Sequence, residues 1–462
     1  MAIRRILIAN RGEIAARIIR TCRALDIETV LAVSAADRDS NPARQADRVV
    51  CIGPAKSSAS YLNAQAVVHA AIATGADAIH PGYGFLSERA ILPQLCAESG
   101  LVFIGPTADQ ILAVGDKLRA RVAAEAATVP VVPGGAVSSL IEAEQLARSI
   151  GAPLLVKAVG GGGGRGLKLV ERLEDLPALL DLAAAEAGAA FGDARVYLEH
   201  YVAHGRHVEV QVLGDGAGEV IHLGERDCSV QRRYQKLIEE TPAPRLSSAL
   251  REQLQQSAVR FARSLSYRGA GTVEFIVDAQ RESFYFLEMN ARIQVEHPVT
   301  EAVTGIDLVA EQIAIAAGRG LSPGLAATQG GGCAIECRIN AEDPAQDFRA
   351  SPGRVQEVNW PTGEGIRVDT HISAGSNVPP YYDSLLGKII ASGPDRSVTL
   401  ARLRAAIAAT RISGVVSNVA FHAAVLDDAE FIAGGVDTGF VPRLFARRPE
   451  LCAMSAASGT HG

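Results

Sequence analysis

The first part of the chain alternates short apolar runs with amphipathic segments. Strands are predicted at residues 6–9, 29–33, 77–80 and 102–104, and helices at residues 13–25 and 64–74. This alternation predicts a parallel sheet whose strands are joined by crossover helices. Two loops, residues 10–12 and 80–84, follow the first and third strands, at the edge where ligands of such sheets gather.

Beyond residue 113 the pattern changes. A helical segment runs from Asp116 to near Thr128, and residues 135–203 form a small unit of strands and helices around a run of glycines. From His207 the apolar positions alternate as in antiparallel strands, in the runs HVEVQVL, EVIHLGERD, GTVEFIVD and FYFLEMN. From about residue 331 strands mix with helices near residues 397–410 and 417–427, and the tail beyond about residue 445 is expected to fray.

Composition narrows the class of protein. The 462 residues suffice for about three domains of roughly 150 residues, and a net charge of −6 argues against an extended nucleic-acid surface. No apolar run approaches the roughly 18 residues of a membrane span, and the N-terminus is predicted to be a strand rather than a signal peptide, so a cytoplasmic location is expected. The seven cysteines are scattered without a C-x-x-C pair, which is typical of reduced thiols. Cys228 has no predicted base that would make it a nucleophile.

Five consecutive glycines, residues 160–164, separate the apolar runs LLVKA and LKLV. Because glycine lacks a Cβ, such a run lets backbone N–H groups close around an anion, and Lys157 and Arg165 flank it. The run lacks the helix of a dinucleotide motif, the Gly-Lys-Ser/Thr of a P-loop and the catalytic motifs of a kinase. A mobile linker is the alternative, although linkers are seldom pure glycine between two strands. The pattern predicts a flap over nucleotide phosphates and leaves the chemistry open.

Two glutamates are predicted to face each other in a hairpin made of GTVEFIVD and FYFLEMN. If Asp278 pairs with Phe284, Glu274 falls opposite Glu288 on one face of the sheet. Two unneutralised carboxylates would repel, and Mg²⁺ bound to phosphate oxygens would remove that repulsion, with Asn290 as a further oxygen ligand. A solvated strand face is the alternative, which the apolar neighbours disfavour.

Charged residues beside this hairpin suggest an anion site. Arg292 presents a fork suited to bicarbonate or a carboxylate, and Glu296 is a candidate general base, unless the two form a surface ion pair. Lys236, in the run ERDCSVQRRYQKLIEE, could reach a phosphate or bicarbonate, although such runs usually form solvated faces. His200, His204 and His207 resemble a zinc cluster, but their spacing suits a helix rather than the strands predicted there.

Several long strings carry a family resemblance over nearly the whole chain: HPGYGFLSE, KAVGGGGGRG, ERDCSVQRR, FLEMNARIQVEHPVTE, AIECRINAEDP and PPYYDSLLGK. In these strings the chain resembles the biotin carboxylases, which are ATP-grasp enzymes. The resemblance implies a protein of mixed α/β and α+β class. A Rossmann-like parallel-sheet domain (1–114) would precede an ATP-grasp domain (115–330) with a mobile glycine-rich lid at about 131–203. A biotin carboxylase C-terminal domain (331–446) and a flexible tail (447–462) would follow.

The resemblance also implies a reaction and its residues. In the family, ATP phosphorylates bicarbonate to carboxyphosphate, and carbon dioxide then passes to the ureido nitrogen of biotin. Glu296 would deprotonate bicarbonate, Arg338 would stabilise the enolate oxygen of biotin, Tyr83 would pack near its ring, and Lys236 and Arg292 would assist catalysis. Bicarbonate would be held by Lys236, Arg292, Gln294 and Val295. Mg²⁺ or Mn²⁺ would be held by Glu274, Glu288 and Asn290. ATP would contact Lys117, Lys157, Gly163, Gly164, Glu199, His200, His207, Gln231, Tyr234 and Ile276.

Three positions depart from the family pattern. Lysine is common where His200 stands, histidine or asparagine where Tyr234 stands, and asparagine where Arg89 stands. A histidine is mostly neutral at pH 7 because its ordinary pKa is about 6.5. We therefore expect weakened or altered ATP binding rather than lost catalysis, and the effect of Arg89 is open.

The resemblance implies partners as well. Biotin is normally attached to a lysine between methionines, and the three methionines Met1, Met289 and Met454 flank no lysine. Biotin is therefore expected on a separate carrier protein or domain, with carboxyltransferase subunits as further partners. A homodimer is implied, through Arg17, Arg20 and residues 363–367. The expected final acceptor of the carboxyl group is acetyl-CoA, which would place the protein in fatty acid biosynthesis. Propionyl-CoA, methylcrotonyl-CoA, pyruvate and urea are the alternative acceptors.

Two other functions stay open. An ATP-grasp carboxylate–amine ligase would also pass through an acyl phosphate, but Arg338 and the bicarbonate clamp favour a biotin carboxylase. A catalytically weakened regulatory paralogue is supported only by His200 and Tyr234.

Overall fold

A computed structural model describes residues 2–159, 167–325 and 330–452, apart from the side chains of Phe191 and Cys452. The protein has the predicted architecture: a parallel-sheet N-terminal part, an ATP-grasp part and a mixed C-terminal part.

The N-terminal part is a five-stranded parallel sheet with helices between its strands. Its elements are β1 (Arg5–Ile8), α1 (Gly12–Ala24), β2 (Glu28–Ser34), α2 (Asn41–Gln45), β3 (Arg48–Gly53), α3 (Ala64–Thr74), β4 (Ala78–His80), α4 (Ile91–Glu98) and β5 (Val102–Phe103). The strand order is β3-β2-β1-β4-β5. The predicted strands and helices are present within one residue at either end. The partly exposed edge strand β3 and the helices α2 and α4 were not predicted.

Two consecutive helices lead into the next part, α5 (Ala108–Gly115) and α6 (Lys117–Ala126). The Asp116 carboxylate accepts hydrogen bonds from the backbone N–H groups of Leu118 and Arg119, which caps α6. The cap places Lys117 in the first turn, where its side chain points into a cleft.

The lid is a four-stranded sheet with its own small core. It comprises β6 (Gly134–Val137), α7 (Leu140–Ile150), β7 (Leu154–Ala158), β8 (Leu167–Val170), α8 (Leu176–Phe191) and β9 (Val196–His200). The strand order is β6-β9-β7-β8, and β7 pairs antiparallel with β8 as the predicted hairpin requires. Residues 160–166, which include the predicted glycine flap, lie outside the described residues. Leu154, Val156, Val170 and Leu198 form an apolar cluster within the lid.

One eight-stranded antiparallel sheet runs from the ATP-grasp part into the C-terminal part, which contributes β15 (Cys333–Asn340), β20 (Ile366–Thr370) and β22 (Leu385–Gly393). Its strand order is β14-β13-β10-β11-β12-β15-β22-β20. The first group of elements is β10 (Arg206–Asp215), β11 (Val220–Arg232), β12 (Gln235–Thr241), α9 (Ser248–Ser264), β13 (Arg268–Asp278), β14 (Ser283–Asn290), α10 (His297–Thr304) and α11 (Leu308–Ala316). β12 pairs with β15, so Glu239 lies opposite Glu336. The two parts therefore share a continuous sheet.

The remaining elements lie in the C-terminal part. They are β15 (Cys333–Asn340), β16 (Glu342–Asp343), β17 (Arg349–Ala350), β18 (Gly353–Arg354), β19 (Glu357–Asn359), β20 (Ile366–Thr370), β21 (Asn377–Val378), β22 (Leu385–Gly393), α12 (Arg396–Ala409), β23 (Arg411–Ser413), α13 (Val419–Leu426), α14 (Ala429–Ala433) and α15 (Phe440–Arg447). Short 3₁₀ turns occupy Ala35–Asp37, Ser57–Ala59, Leu173–Asp175, Pro344–Gln346 and Pro449–Cys452. Order thus continues past residue 445, where fraying was expected, and residues 453–462 lie outside the described part.

The hairpin of β13 and β14 brings Glu274 opposite Glu288 by a different route from the one predicted. Asp278 pairs with Ser283, one residue away from the predicted Phe284. A bulge at Leu287 then shifts the register by one position, which restores the Glu274–Glu288 pair. The predicted pairing of Asp278 with Phe284 was therefore wrong, whereas the predicted pairing of Glu274 with Glu288 is present because of the bulge.

Within the described ranges, no helix is both long enough and apolar enough to cross a membrane. Arg17, one of the residues expected at a dimer interface, is instead 3% exposed and is paired with Glu301 and Asp307 of the same chain. Arg20 does remain exposed, at 53% of its side chain.

Candidate active site

A cleft of about 1220 Å³ lies between the lid, the central sheet and the C-terminal part. It collects nearly every residue proposed from the sequence. Its lining includes Tyr83, Lys117, Lys157, Glu199, His200, His207, Gln231, Tyr234, Lys236, Glu274, Ile276, Glu288, Asn290, Arg292, Gln294, Val295 and Arg338. Glu296 lies beneath the floor, and Gly163 and Gly164 fall outside the described residues.

Lys236 is the centre of the cleft floor. Its ammonium group donates to three carboxylates: Glu209 at 2.5 Å, Glu296 at 2.7 Å and Glu274 at 3.0 Å. Burial opposes the charge, but these carboxylates raise the pKa of Lys236 well above its ordinary value. The lysine, on β12, is therefore a permanent cation whose side chain reaches carboxylates on β10 and β13.

Glu296 is fully buried between two cations. Its carboxylate accepts from Lys236 Nζ at 2.7 Å and from Arg338 Nη2 at 2.9 Å. Although burial disfavours the charged form, the positive charges of Lys236 and Arg338 hold the pKa of Glu296 well below its ordinary value. Arg338 is oriented in turn by Glu239, which accepts from its Nε at 2.6 Å. The arrangement keeps an ionised carboxylate next to a guanidinium at the cleft wall.

Glu274 and Glu288 present oxygen atoms to the same part of the cleft. Glu274 accepts from Asn290 at 2.8 Å and from Gln294 at 3.1 Å, besides Lys236. Glu288 has a more distant cation, Lys117, at 3.9 Å. Burial and the negative charge of Glu274 raise the pKa of Glu288.

This set of donors fits a divalent cation. The two opposed carboxylates offer oxygen ligands of the kind that Mg²⁺ and Mn²⁺ prefer. Asn290 Oδ1 accepts from Arg292 at 2.9 Å and has a second lone pair that could face a cation. A cation would relieve the repulsion that raises the pKa of Glu288.

Arg292 is held in a fixed orientation at the mouth of the site. It donates to Glu88 at 2.8 Å, to Gln294 Oε1 at 2.8 Å and to Asn290 Oδ1 at 2.9 Å. It makes no ion pair with Glu296, so the alternative of a surface pair between these two residues is wrong. Its fork stands beside the Gln294 side chain, as a clamp for a small anion requires.

The lid contributes the far end of the cleft. Lys157 on β7 forms an ion pair with Glu199 on the neighbouring strand β9. His200 ends β9, and Tyr234 stands in the β11–β12 turn with a left-handed φ of 66° and 55% exposure. Of the three departures from the family pattern, His200 and Tyr234 therefore line the cleft.

Tyr83 reaches the cleft from the second loop of the N-terminal sheet. The Asn10 side chain donates to Pro81 O and Tyr83 O, both at 2.7 Å, and so ties the two predicted loops together. Tyr83 donates its hydroxyl hydrogen to Glu13 at 2.6 Å. A second cavity of about 310 Å³ adjoins this tyrosine and Arg338.

Several residues of the site were not found from the sequence. Glu88 orients Arg292, Glu209 and Glu239 anchor Lys236 and Arg338, and Glu209 is fully buried. Glu88 lies within HPGYGFLSE, and Glu209 is the acid inside the apolar strand HVEVQVL. A buried acid in an apolar strand needs a cation or hydrogen-bond donor as a partner. The position of Glu209 within HVEVQVL could therefore have indicated that it belongs to a charged site.

The run from Glu225 to Glu240 is not a solvated face, as such runs usually are. It forms the paired strands β11 and β12, and most of its side chains are buried. Cys228 within it is buried, and burial raises the pKa of its thiol well above the ordinary value, which agrees with an inert thiol.

The histidine cluster does not form in the described part of the chain. His204 pairs with Asp437 at 3.1 Å, while His207 lies 3.1 Å from Glu274. Potential metal-binding groups there combine His207, Glu209 and Glu274, or Glu209, Cys228 and Glu296, both at the cleft floor.

Comparison with known proteins gives consistent matches along the chain. Residues 2–111 match the biotin carboxylase N-terminal domain, residues 116–323 the ATP-binding domain of the carbamoyl-phosphate synthase L chain, and residues 336–443 the biotin carboxylase C-terminal domain. The biotin carboxylase of Nostoc sp. is 49% identical over 444 residues, which covers 95% of this chain and 99% of that protein.

Solved structures agree. A biotin carboxylase from Campylobacter jejuni in complex with β-γ-ATP superposes with a TM-score of 0.92 at 43% identity, covering 96% of this chain and 99% of that one. The biotin carboxylase domain dimer of the 2-oxoglutarate carboxylase of Hydrogenobacter thermophilus, in complex with MgADP, ADP and bicarbonate, also gives 0.92, at 42% identity and coverages of 98% and 99%.

Proposed function

The chain belongs to the biotin carboxylase family of ATP-grasp ligases, and from this premise we propose that it carboxylates biotin on a separate carrier protein with ATP and bicarbonate. The observation that carries the proposal is the buried chain of contacts from Glu274 through Lys236 and Glu296 to Arg338. It joins the part of the cleft proposed to hold polyphosphate and a metal ion to the guanidinium of Arg338, which also lines a second cavity. The related dimer that contains MgADP and bicarbonate supports the same assignment of ligands.

ATP would lie under the lid. Lys117, Lys157 and His207 would contact its phosphates, and Ile276 and Gln231 would line the nucleoside end, together with Glu199, His200, Tyr234 and the glycines Gly163 and Gly164. Glu274, Glu288 and Asn290 would hold Mg²⁺ or Mn²⁺. When bound, the metal ion would neutralise charge on the phosphate oxygens.

Bicarbonate would occupy the space beside Arg292, Gln294 and the backbone of Val295. Glu296 would take its proton, and the resulting oxyanion would attack the terminal phosphorus of ATP to give carboxyphosphate and ADP. The pKa of Glu296 is low because two cations neutralise its charge. A bound anion would compete for those cations, which makes Glu296 more basic when bicarbonate is present. Lys236 would neutralise charge as the anion reacts.

Biotin would approach Arg338 from the side of Tyr83. A guanidinium facing the ureido oxygen stabilises negative charge there, which makes the neighbouring nitrogen more nucleophilic. Breaking the bond between the carboxyl carbon and the phosphate oxygen of carboxyphosphate would release carbon dioxide and phosphate. The released phosphate would take the ureido N–H proton, and the nitrogen would then form its bond to carbon dioxide. Closure of the lid would exclude water, which would otherwise hydrolyse carboxyphosphate.

We further propose acetyl-CoA as the final acceptor, reached through a biotin carrier protein and carboxyltransferase subunits, with the chain acting as a homodimer in fatty acid biosynthesis. The relatives named biotin carboxylase from Nostoc sp. and Bacillus subtilis, which match 95% of this chain at 49% and 48% identity, support the carboxylase role in this proposal. The neighbours from 2-oxoglutarate and pyruvate carboxylases keep other acceptors open as outcomes.

The test is ATP cleavage measured with and without bicarbonate and free biotin. A biotin carboxylase requires bicarbonate and responds to biotin, and it transfers labelled bicarbonate carbon to a biotinylated carrier. Glu288→Gln should lose Mg²⁺-dependent turnover, whereas Glu186→Gln, an exposed lid carboxylate paired with Lys168, should not. ATP cleavage that needs an amine instead of biotin would establish the ligase alternative. Purification with native partners would identify the acceptor.

A further inference from the structure

Two side chains outside the residues assigned above hold the loop that carries Gln294, Val295 and Glu296. The carbonyl oxygen of Gln294 lies 2.8 Å from His297 Nδ1, and the carbonyl oxygen of Val295 accepts from Lys388 Nζ at 2.8 Å. These oxygens belong to the two successive peptide groups on either side of the Val295 Cα.

Fixing these two oxygens fixes two N–H directions. In a trans peptide the N–H points away from the C=O of the same plane, so holding Gln294 O sets the direction of the Val295 N–H. Holding Val295 O sets the peptide from which Glu296 departs. The Val295 backbone is the part of the loop proposed to meet bicarbonate, and Glu296 is the proposed base.

The His297 contact defines a tautomer. A carbonyl oxygen can only accept, so Nδ1 carries the hydrogen and Nε2 is bare. Within the described structure Nε2 has no hydrogen-bond partner, and the ring is fully buried. Burial and the positive charge of Lys388 keep the pKa of His297 well below its ordinary value, so the ring stays neutral and Nδ1 stays the sole donor.

Lys388 reaches the loop from β22 and is itself fully buried. Its partner is Glu13 on α1, at 2.9 Å, and both side chains have zero exposure. Glu13 also accepts from the Tyr83 hydroxyl at 2.6 Å. A buried ammonium is costly unless it is paired, so its placement against one loop carbonyl favours a specific role for that contact.

We infer that His297 and Lys388, the latter held by Glu13, are positioning residues that orient the Val295 N–H and the Glu296 backbone toward bicarbonate. The inference rests on the proposed function and deepens it. The two residues touch no substrate and act through the peptide groups of the loop.

The first test compares two replacements of His297. His297→Leu removes the side-chain donor to Gln294 O and leaves the longer contact from the backbone N–H of residue 297, at 3.3 Å. His297→Asn keeps a side-chain N–H donor at the position of Nδ1. Losing a hydrogen bond that orients a binding group is expected to raise the KM for bicarbonate roughly tenfold. The KM for ATP should stay within about twofold, and His297→Asn should behave like the unmodified protein.

The second test uses the double variant Glu13→Gln/Lys388→Met. Removing both charges avoids an unpaired buried ion and still takes the donor from Val295 O. It should again raise the KM for bicarbonate about tenfold and leave the KM for ATP unchanged. The matched control is Glu225→Gln/Arg251→Met, another pair with a buried glutamate, at 2.7 Å and remote from the loop, which should lower thermal stability without changing either KM.

The outcomes separate the inference from the proposed function. An unmodified protein without bicarbonate-dependent ATP cleavage refutes the proposed function itself. An active protein whose variants keep the KM for bicarbonate overturns the inference alone, as does an equal rise in both KM values or a His297→Asn variant as impaired as His297→Leu. Failure of both variants to fold would assign these contacts to folding and would overturn it equally.

Discussion

Replacing Lys236 by methionine removes the cation on which the cleft floor depends. The ammonium group contacts Glu209, Glu274 and Glu296 at distances from 2.5 to 3.0 Å, and its side chain is 10% exposed. Methionine has a similar length and no charge, so the substitution removes one positively charged partner from each of these three carboxylates.

The cost in stability follows from what each carboxylate retains. Breaking a buried ion pair by removing one partner typically costs about 3–5 kcal/mol. Glu209 keeps Arg226 at 2.6 Å, and Glu296 keeps Arg338 at 2.9 Å. We therefore expect the lower end, about 3 kcal/mol in the free energy of unfolding.

The pH dependence should change as well. Lys236 is the foremost cation that lowers the pKa of Glu296 against the effect of burial. A carboxylate with a depressed pKa contributes stability above its unfolded pKa of about 4.3, and this contribution is lost only as the pH falls through the lower folded value. Without Lys236 the folded pKa of Glu296 rises, so stability and the ionised base are both lost at a higher pH.

The assays are urea unfolding and the pH profile of bicarbonate-dependent ATP cleavage. Turnover should fall about 100-fold or more, the usual effect of impairing a general base, and the loss should be greater at pH 6 than at pH 8. The control is Lys168→Met, which removes an exposed pair at 2.8 Å and should cost less than about 1 kcal/mol. A Lys236→Met protein as stable as the control, with an unshifted pH profile, would refute the reasoning.

Three further outcomes are expected. His200→Lys should tighten ATP binding roughly threefold to tenfold in calorimetric titration, because it adds a charge-assisted contact at the cleft wall, and an unchanged Kd would contradict the expected weakness of the native site. Arg338→Gln should reduce carboxylation of free biotin at least tenfold more than it reduces bicarbonate-dependent ATP cleavage, since the guanidinium faces the biotin side; equal losses in the two assays would place its role elsewhere. Burial raises the pKa of Glu336 well above its ordinary value; the positive charge of Lys388 opposes this shift and the negative charge of Glu239 adds to it. In the described structure neither carboxylate oxygen of Glu336 has a hydrogen-bond partner. A raised carboxyl pKa costs stability as the pH rises above the unfolded value. In urea unfolding, the free energy of unfolding of Glu336→Gln should therefore gain on that of the unmodified protein between pH 5 and pH 8, by up to about 1.4 kcal/mol per pH unit; a constant difference would refute this assignment.

Much of the architecture was predictable because its signals are local. The apolar runs of the N-terminal sheet, the antiparallel alternation from residue 207 and the flanks of the glycine run depend on periods of two and 3.6 residues. The strings around Lys157, Glu288 and Arg338 were enough to indicate the family. Most residues proposed for the site line one cleft, although their roles stay predictions.

What the local pattern could not supply was the pairing between distant segments. The register of β13 and β14 depends on a bulge at Leu287. The charged run around Lys236 is buried because its strands β11 and β12 lie inside the sheet, between β10 and β15, and helices α9, α10 and α15 pack against them. Glu13 and Lys388 lie 375 positions apart in the chain, yet their side chains form a fully buried ion pair. Sequence by itself determined which elements form and which chemical groups are available, because both follow from neighbouring residues. Only the tertiary structure decided which cation neutralises which buried carboxylate, because that choice depends on distances set by the packing of the whole sheet.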